Sequence, residues 1–392
     1  MKVKISNFFY GSIIVQVLST QGILLFIFFN FFNFWELKSL IHPLSFILIA
    51  CVFLIRKVKN IKFQSIDVIF FGYLFISFLI LVFNVLSLNK IFLTFREIFL
   101  VFILIFIFSQ IILSIKEWNN ILKLFHYLTI INLFFVGLTY YLGPEDYMKL
   151  LTGRYFWGID PEYKFKMSNL SKFWRSPALI GSPGSAGYFG LIVYFFMDRD
   201  EKYKKKKWIS LMLMILSFVR SAYLVFVIYE GLKFFTKRKN LLRLVLVLKY
   251  SLPLLVLAGF YLSKYNLLST KSIFIRFSHW SNDIDVNFNL LFGGGIGKVG
   301  NAVRGSGFKA TIDSYWFLLL ISIGFIGIFL AVLFIINKRK QDNKFIIMLF
   351  SFMIGGVFIT YTQGIVFLSL FPLFFLKINK NQSNKLTQNE IK

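Results

Sequence analysis

The sequence predicts an all-α polytopic membrane protein of about twelve transmembrane helices, short broken hairpins included, and three observations predict it. Apolar runs of roughly 15 to 25 residues recur from Phe8 to Leu376, each about the length at which a helix crosses a hydrocarbon core of ~30 Å. The 392 residues are 57% hydrophobic and 20% aromatic, with 53 Phe and a mean hydropathy of +0.72, far from the balance of a water-soluble domain. The 44 Lys and Arg gather mostly in short clusters between apolar runs, so the net charge of +27 reads as membrane orientation and not as a nucleic-acid partner.

Other classes are excluded by what is scarce. Cys51 is the single cysteine and lies inside an apolar run, which leaves neither a disulfide framework nor a thiolate metal site. His42, His126 and His279 are scattered without ligand spacing. Neither a metal nor a cofactor is expected.

Lys2 and Lys4 precede the first run, Phe8 to Trp35, which so many others follow that it reads as an anchor. The second run, Leu40 to Ile55, returns to Arg56, Lys57, Lys59 and Lys62. The third, Ile66 to Leu88, leads to the turn at Lys90, and the fourth, Thr94 to Ile115, carries Arg96 and Glu97 near its outer end, read as structural. The fifth, Asn120 to Leu142, comes out to the first large external loop, 143–176. A sixth, Pro177 to Met197, goes back to the basic stretch Arg199 to Lys207.

The interval Trp208 to Phe235 holds about 28 residues, or ~42 Å of helix, too long for one upright span and too short for two. Lys204 to Lys207 before it and Lys237-Arg238-Lys239 after it are both basic. A hairpin of two short helices, with Arg220 and Ser221 near its tip, keeps both flanks on the cytoplasmic side, whereas one tilted helix would put the later basic clusters outside. Leu244 to Leu262 then leads out to the second large loop, 263–312, and Asp313 to Ile336 leads in to Lys338-Arg339-Lys340. Phe345 to Leu376, flanked by lysines and broken near Thr360 to Gly364, reads as a second hairpin. Residues 377–392 read as a disordered cytoplasmic tail, so that both termini are cytoplasmic. The absence of a convincing inverted repeat counts slightly against a transporter.

Chemistry is expected where cations meet small residues. Trp174-Arg175-Ser176-Pro177 leads into Gly181-Ser182-Pro183-Gly184, where prolines and glycines break the helix and let backbone amides face an anionic ligand, or else serve a helix start and its packing. Arg175, Arg220, Arg276 and Arg304 fall in the outer half or in external loops. Guanidinium forks suit phosphate oxygens, although Arg220 could instead snorkel or bond the free carbonyls of a helix break, and Arg304 could simply be solvated. The glycine run Gly293-Gly294-Gly295-Ile296-Gly297 lacks the preceding strand and following Lys-Ser/Thr of a nucleotide loop and reads as a turn. Asp313, His279 and the carboxylates of the first large loop are candidates for acid-base work, Asp313-Ser314 alternatively capping a helix and His279 packing beside Trp280.

The order of these features resembles the O-antigen polymerase (Wzy) and O-antigen ligase superfamily. It comprises an Arg before Gly-Ser-Pro-Gly, the Ser217-Phe218-Val219-Arg220-Ser221-Ala222 break, Arg276 with Trp280, a Gly-rich loop, and Asp313-Ser314-Tyr315 running into Ile323-Gly324-Phe325-Ile326-Gly327. The resemblance covers roughly Gly143 to Ile336. Ligases of the superfamily carry a histidine motif where this chain has Thr311-Ile312-Asp313-Ser314-Tyr315, a departure that favours the polymerase branch. The resemblance implies a glycosyl transfer at the outer face of a bacterial cytoplasmic membrane, between two polyprenyl-diphosphate-linked oligosaccharides, for O-antigen or capsule. Arg175, Arg220 and Arg276 would stabilise the diphosphate leaving group, Arg304 and the Gly181-Ser182-Pro183 turn would bind substrate, and Asp313 or, second, His279 would act as base. Membrane lipids and a chain-length regulator are the further partners considered. The alternatives are a ligase, a lipid-linked oligosaccharide flippase or anion transporter, and a structural partner in polysaccharide export.

Overall fold

The computed structural model describes residues 5–18, 38–58, 60–84, 88–143, 146–147, 149–150, 175–236, 288–297, 299, 314–338, 342–358 and 365–379. These are mostly helical: α1 (Ile5–Leu18), α2 (Lys38–Lys57), α3 (Ser65–Asn84), α4 (Leu88–Gln110), α5 (Ile115–Leu142), α6 (Pro183–Arg199), α7 (Lys207–Leu216), α8 (Arg220–Phe235), α9 (Tyr315–Lys338), α10 (Asn343–Phe358) and α11 (Ile365–Leu370). Of these, α5 and α9 are long and apolar enough to cross a membrane by the combined test of length and hydropathy, and shorter apolar helices accompany them. The expected run Leu244 to Leu262, and the break expected near Thr360 to Gly364, lie outside the described residues.

Helix ends are set by local chemistry. Ser114 and Glu117 form a capping box at the start of α5: the Glu117 amide donates to Ser114 Oγ at 3.3 Å, and the Ser114 amide to Glu117 Oε2 at 3.0 Å. Gly143 ends the same helix at φ 85°, a conformation that costs glycine little. The sixth run starts later than the sequence suggests, because residues 177–182 turn before Pro183 opens α6. The tail also departs from expectation at its first residues. Lys377–Ile378 forms a short strand, β2, parallel to β1 (Ile112–Leu113), since the Lys377 and Asn379 amides find the carbonyls of Ile111 and Leu113 at 3.0 Å each.

One end of the bundle is a polar layer. Lys57 Nζ lies 2.5 Å from Glu117, Trp118 Nε1 donates to Asp200 at 3.0 Å, Arg199 pairs with Asp342 at 2.9 Å, and Lys338 pairs with the buried Asp67 at 2.7 Å. Every pair joins ends of neighbouring helices, as alternating up and down helices require. The basic flanks named by the sequence therefore meet on one side of the bundle wherever they are described.

Both expected hairpins are present as chain reversals. α7 begins and α8 finishes beside Asp198, at the end of α6, while the break at residues 217–219 lies against Gly187 near its start. Similarly, the Phe345 ring at the start of α10 meets Phe375, beyond α11, at 5.2 Å. Close helix approach makes the first reversal tight. A Cβ on Gly190 would lie 2.8 Å from the Met214 nitrogen and the Ser210 oxygen, and one on Gly187 would lie 2.6 Å from Ser217 Oγ. Between the ends, aromatic rings fill the core, Phe9 stacking on Phe53 at 4.6 Å and Phe196 on Phe374 at 3.9 Å.

α9 is broken at Gly324, whose φ of 65° interrupts the helix. The glycine-rich turn fills the gap. Gly294 donates to Ile321 O at 2.6 Å, Phe325 to Leu290 O at 3.0 Å and Ile326 to Leu291 O at 3.1 Å, while the Tyr73 hydroxyl of α3 donates to Ile323 O at 2.7 Å. Gly293 and Gly324 are so close that a Cβ on either would clash with the other's backbone. The turn expected at this glycine run therefore exists, with a use that sequence reading did not anticipate.

Candidate functional site

The site is assembled from a turn and a hairpin tip. Residues 175–182 form a compact non-helical stretch, buried from Ser176 to Gly181, in which the Gly181 amide donates to Pro177 O at 2.9 Å. Buried backbone of this kind must have its amides and carbonyls satisfied. α5 supplies the partners. Asn132 Oδ1 accepts the amides of Leu179 and Ile180 at 3.1 and 3.2 Å, and its Nδ2 donates to Leu128 O at 2.7 Å. Thr139 gives its proton to Phe135 O, so the Ser176 hydroxyl 2.8 Å away donates to Thr139 and accepts the Ala178 amide. Tyr147 donates to Ala178 O at 2.6 Å, holding a residue with a φ of 50°.

The hairpin tip is held with similar economy. Ser217 Oγ donates to Met214 O at 2.6 Å, Phe218 adopts a φ of 50°, and Ile215 O, where α7 ends, accepts both the Phe218 amide at 3.1 Å and the Tyr223 hydroxyl. Tyr188 of α6 donates to Ser221 Oγ at 2.7 Å and fixes the first turn of α8. Arg220 stands exposed as the first residue of α8.

These two units bring Arg175 and Arg220 within electrostatic reach of each other, with Tyr223 in the same neighbourhood. Burial first, and the Arg220 charge after it, lower the pKa of the half-buried Arg175 guanidinium, which nonetheless stays a cation at any physiological pH. Among the described residues neither arginine forms an ion pair with a carboxylate. The contrast with the far end is informative, because Arg199, Lys207, Lys233 and Lys338 there all have carboxylate partners. Two like charges held together repel one another, and an anion between them relieves that cost.

Of the other expected site residues, Gly181 turns the chain at a φ of 85°, Ser182 precedes α6 without making a side-chain cap bond, and Pro183 is the first residue of that helix. Arg276, His279, Arg304 and Asp313 lie outside the described residues. Ser314 caps α9, its Oγ accepting the Phe317 amide at 3.3 Å, as the capping alternative has it. Beside that helix start, Glu97 is 1% exposed and within electrostatic reach of Tyr315. Sequence reading missed Asn132, Thr139, Tyr147, Tyr188, Tyr223 and Asp198. Polar residues inside apolar runs were the available signal.

No family model, curated protein or solved structure matches this chain.

Proposed function

We propose that the chain is a multi-pass enzyme of the cytoplasmic membrane that transfers a growing glycan from polyprenyl diphosphate onto a second lipid-linked repeat unit, as an O-antigen or capsule polymerase does. A hydroxyl of the acceptor sugar attacks the anomeric carbon of the donor glycan. The bond from that carbon to the diphosphate oxygen breaks, the diphosphate leaves with the electron pair, and the hydroxyl proton passes to a base. Asp313 is the residue assigned to that base, with His279 second.

The observation that carries the proposal is the approach of two guanidinium groups, Arg175 and Arg220, neither paired with a carboxylate among the described residues. Charge grows on a diphosphate as it leaves, and fixed guanidinium groups stabilise that charge without reorganising. Arg276 completes the set in this reading. With both termini and the polar layer cytoplasmic, the arginines lie toward the outer face. The alternative of a flippase or transporter needs open backbone groups at a broken helix to hold a coupled ion. In α9 the Ile321 carbonyl and the Phe325 and Ile326 amides are already bonded to residues 290–294, which weighs against that alternative.

The test is elongation by the purified protein. Supplied with a synthetic polyprenyl-diphosphate repeat unit, in detergent, without nucleotide sugar and with EDTA present, the protein should produce a ladder of longer glycans. A protein that moves the lipid-linked unit across liposomes but never lengthens it is a flippase, and the proposal then fails.

A further inference from the structure

Asp198 lies at the opposite end of α6 from the arginines and is 0% exposed. Its Oδ1 accepts from Lys207 Nζ at 2.5 Å, its Oδ2 from Tyr229 at 2.9 Å and Lys233 Nζ at 2.8 Å, and its backbone oxygen from Lys344 Nζ at 2.7 Å. Lys207 opens α7, Tyr229 and Lys233 lie near the end of α8, and Lys344 belongs to the first turn of α10. One buried residue therefore gathers both feet of the hairpin through its carboxylate, and the helix beside it through its backbone oxygen. Tyr194, one turn earlier on α6, adds a bond to Glu230 at 2.8 Å.

This knot is far from the anion site but mechanically joined to it. From Asp198 to Gly187, where the hairpin tip rests, α6 rises about 16 Å at 1.5 Å per residue. Apolar helices in an apolar medium slide over one another with little change in free energy, so register comes from close packing and from buried polar contacts. Here the close packing is at Gly187 and Gly190, and the buried charges are at Asp198. Removing the carboxylate leaves Lys207 and Lys233 buried or half-buried without that counter-charge.

We propose that Asp198 is a positioning residue for the arginine pair: by tying both feet of the α7–α8 hairpin to α6, it sets the depth and rotation at which Arg220 faces Arg175. The inference rests on the proposed function only for the role of that pair. The hairpin geometry stands apart from it.

The experiment places nitroxide labels at Ser182→Cys and Leu224→Cys in full-length protein carrying Cys51→Ser, held in lipid nanodiscs, and measures the distance between them. The parent should give one narrow distribution, and Asp198→Asn, which keeps the side chain's size but removes its charge, should at least double the width or shift the mean. An unchanged distribution in folded Asp198→Asn protein overturns the proposal. Should that variant fail to accumulate, Tyr229→Phe and Lys233→Met, which each remove one partner of the carboxylate, are read in the same way, and narrow distributions in both overturn it. In the elongation assay a positioning role lowers kcat/KM per folded molecule severalfold, with recovery in Asp198→Glu, whereas a kcat/KM per folded molecule equal to wild type, with only the amount of folded enzyme reduced, counts against the proposal. Broadened distributions in a protein that elongates nothing, wild type included, support the positioning role and defeat the polymerase reading.

Discussion

Asn132 serves two amides of the buried turn before α6 with one oxygen. Replacing it with Leu removes that acceptor from the Leu179 and Ile180 amides, and a buried amide that loses its acceptor costs about 1–3 kcal/mol. Asn132→Leu should therefore lower the midpoint of thermal unfolding in detergent and weaken activity together, since Arg175 hangs from the same turn. A midpoint equal to wild type would mean that the amides have other partners. The arginines are tested by geometry at constant charge. Arg175→Lys and Arg220→Lys keep the cation but lose the planar fork, so each should reduce elongation about 100-fold, the scale of losing one fixed donor to a developing oxyanion. Arg304→Lys should be mild. Wild-type polymer amount and length in Arg220→Lys would remove that residue from the site.

At the scale of elements, the packing of α6 on the hairpin depends on glycines that are not interchangeable. A methyl at Gly190 would meet backbone of α7 at 2.8 Å, whereas one at Gly184 has its nearest neighbour, Ser182 Oγ, at 3.8 Å. Gly190→Ala should consequently force the helices apart and cost about 1–3 kcal/mol, as overpacking does, while Gly184→Ala should be close to neutral in the same unfolding measurement. Equal effects at both positions would contradict the close approach. Gly324→Ala is expected to be worse still, because the position combines a φ of 65° with no room for a Cβ, which would clash with the backbone of Leu291 and Gly293. It would expel the glycine-rich turn from the break in α9, and limited proteolysis should then cut the chain near residues 288–297 faster than in wild type.

At the scale of the molecule, the proposed orientation makes Ser221 and Lys205 opposites. Both belong to one continuous stretch, yet the hairpin places Ser221 at its tip and the exposed Lys205 at its foot. In cells producing a Cys51→Ser parent, a cysteine at position 221 should react with an impermeant thiol reagent added outside, and one at position 205 only after the membrane is opened. The reverse pattern would invert the topology and move the arginine pair to the cytoplasmic side, where the proposed reaction has no place.

The length of the apolar runs and the charge of their flanks were enough, by themselves, to foresee α2, α3 and α5, the reversal at Arg220, and the return of Phe375 toward Phe345. Those features depend on quantities summed along a short stretch of chain: a span's length and a loop's charge. Arg175 and Arg220 were legible for the same reason, as costly cations at the edge or within apolar sequence. Only the tertiary structure decided that Asn132, Thr139 and Tyr147 hold the Arg175 turn, that residues 290–294 plug the break at Gly324, and that Asp198 collects Lys207, Tyr229 and Lys233. Runs that are apolar on nearly every face carry no signal for which side meets which neighbour. Rotation and depth of each helix set those partnerships, and they are settled only when buried amides, hydroxyls and charges find one another across the bundle.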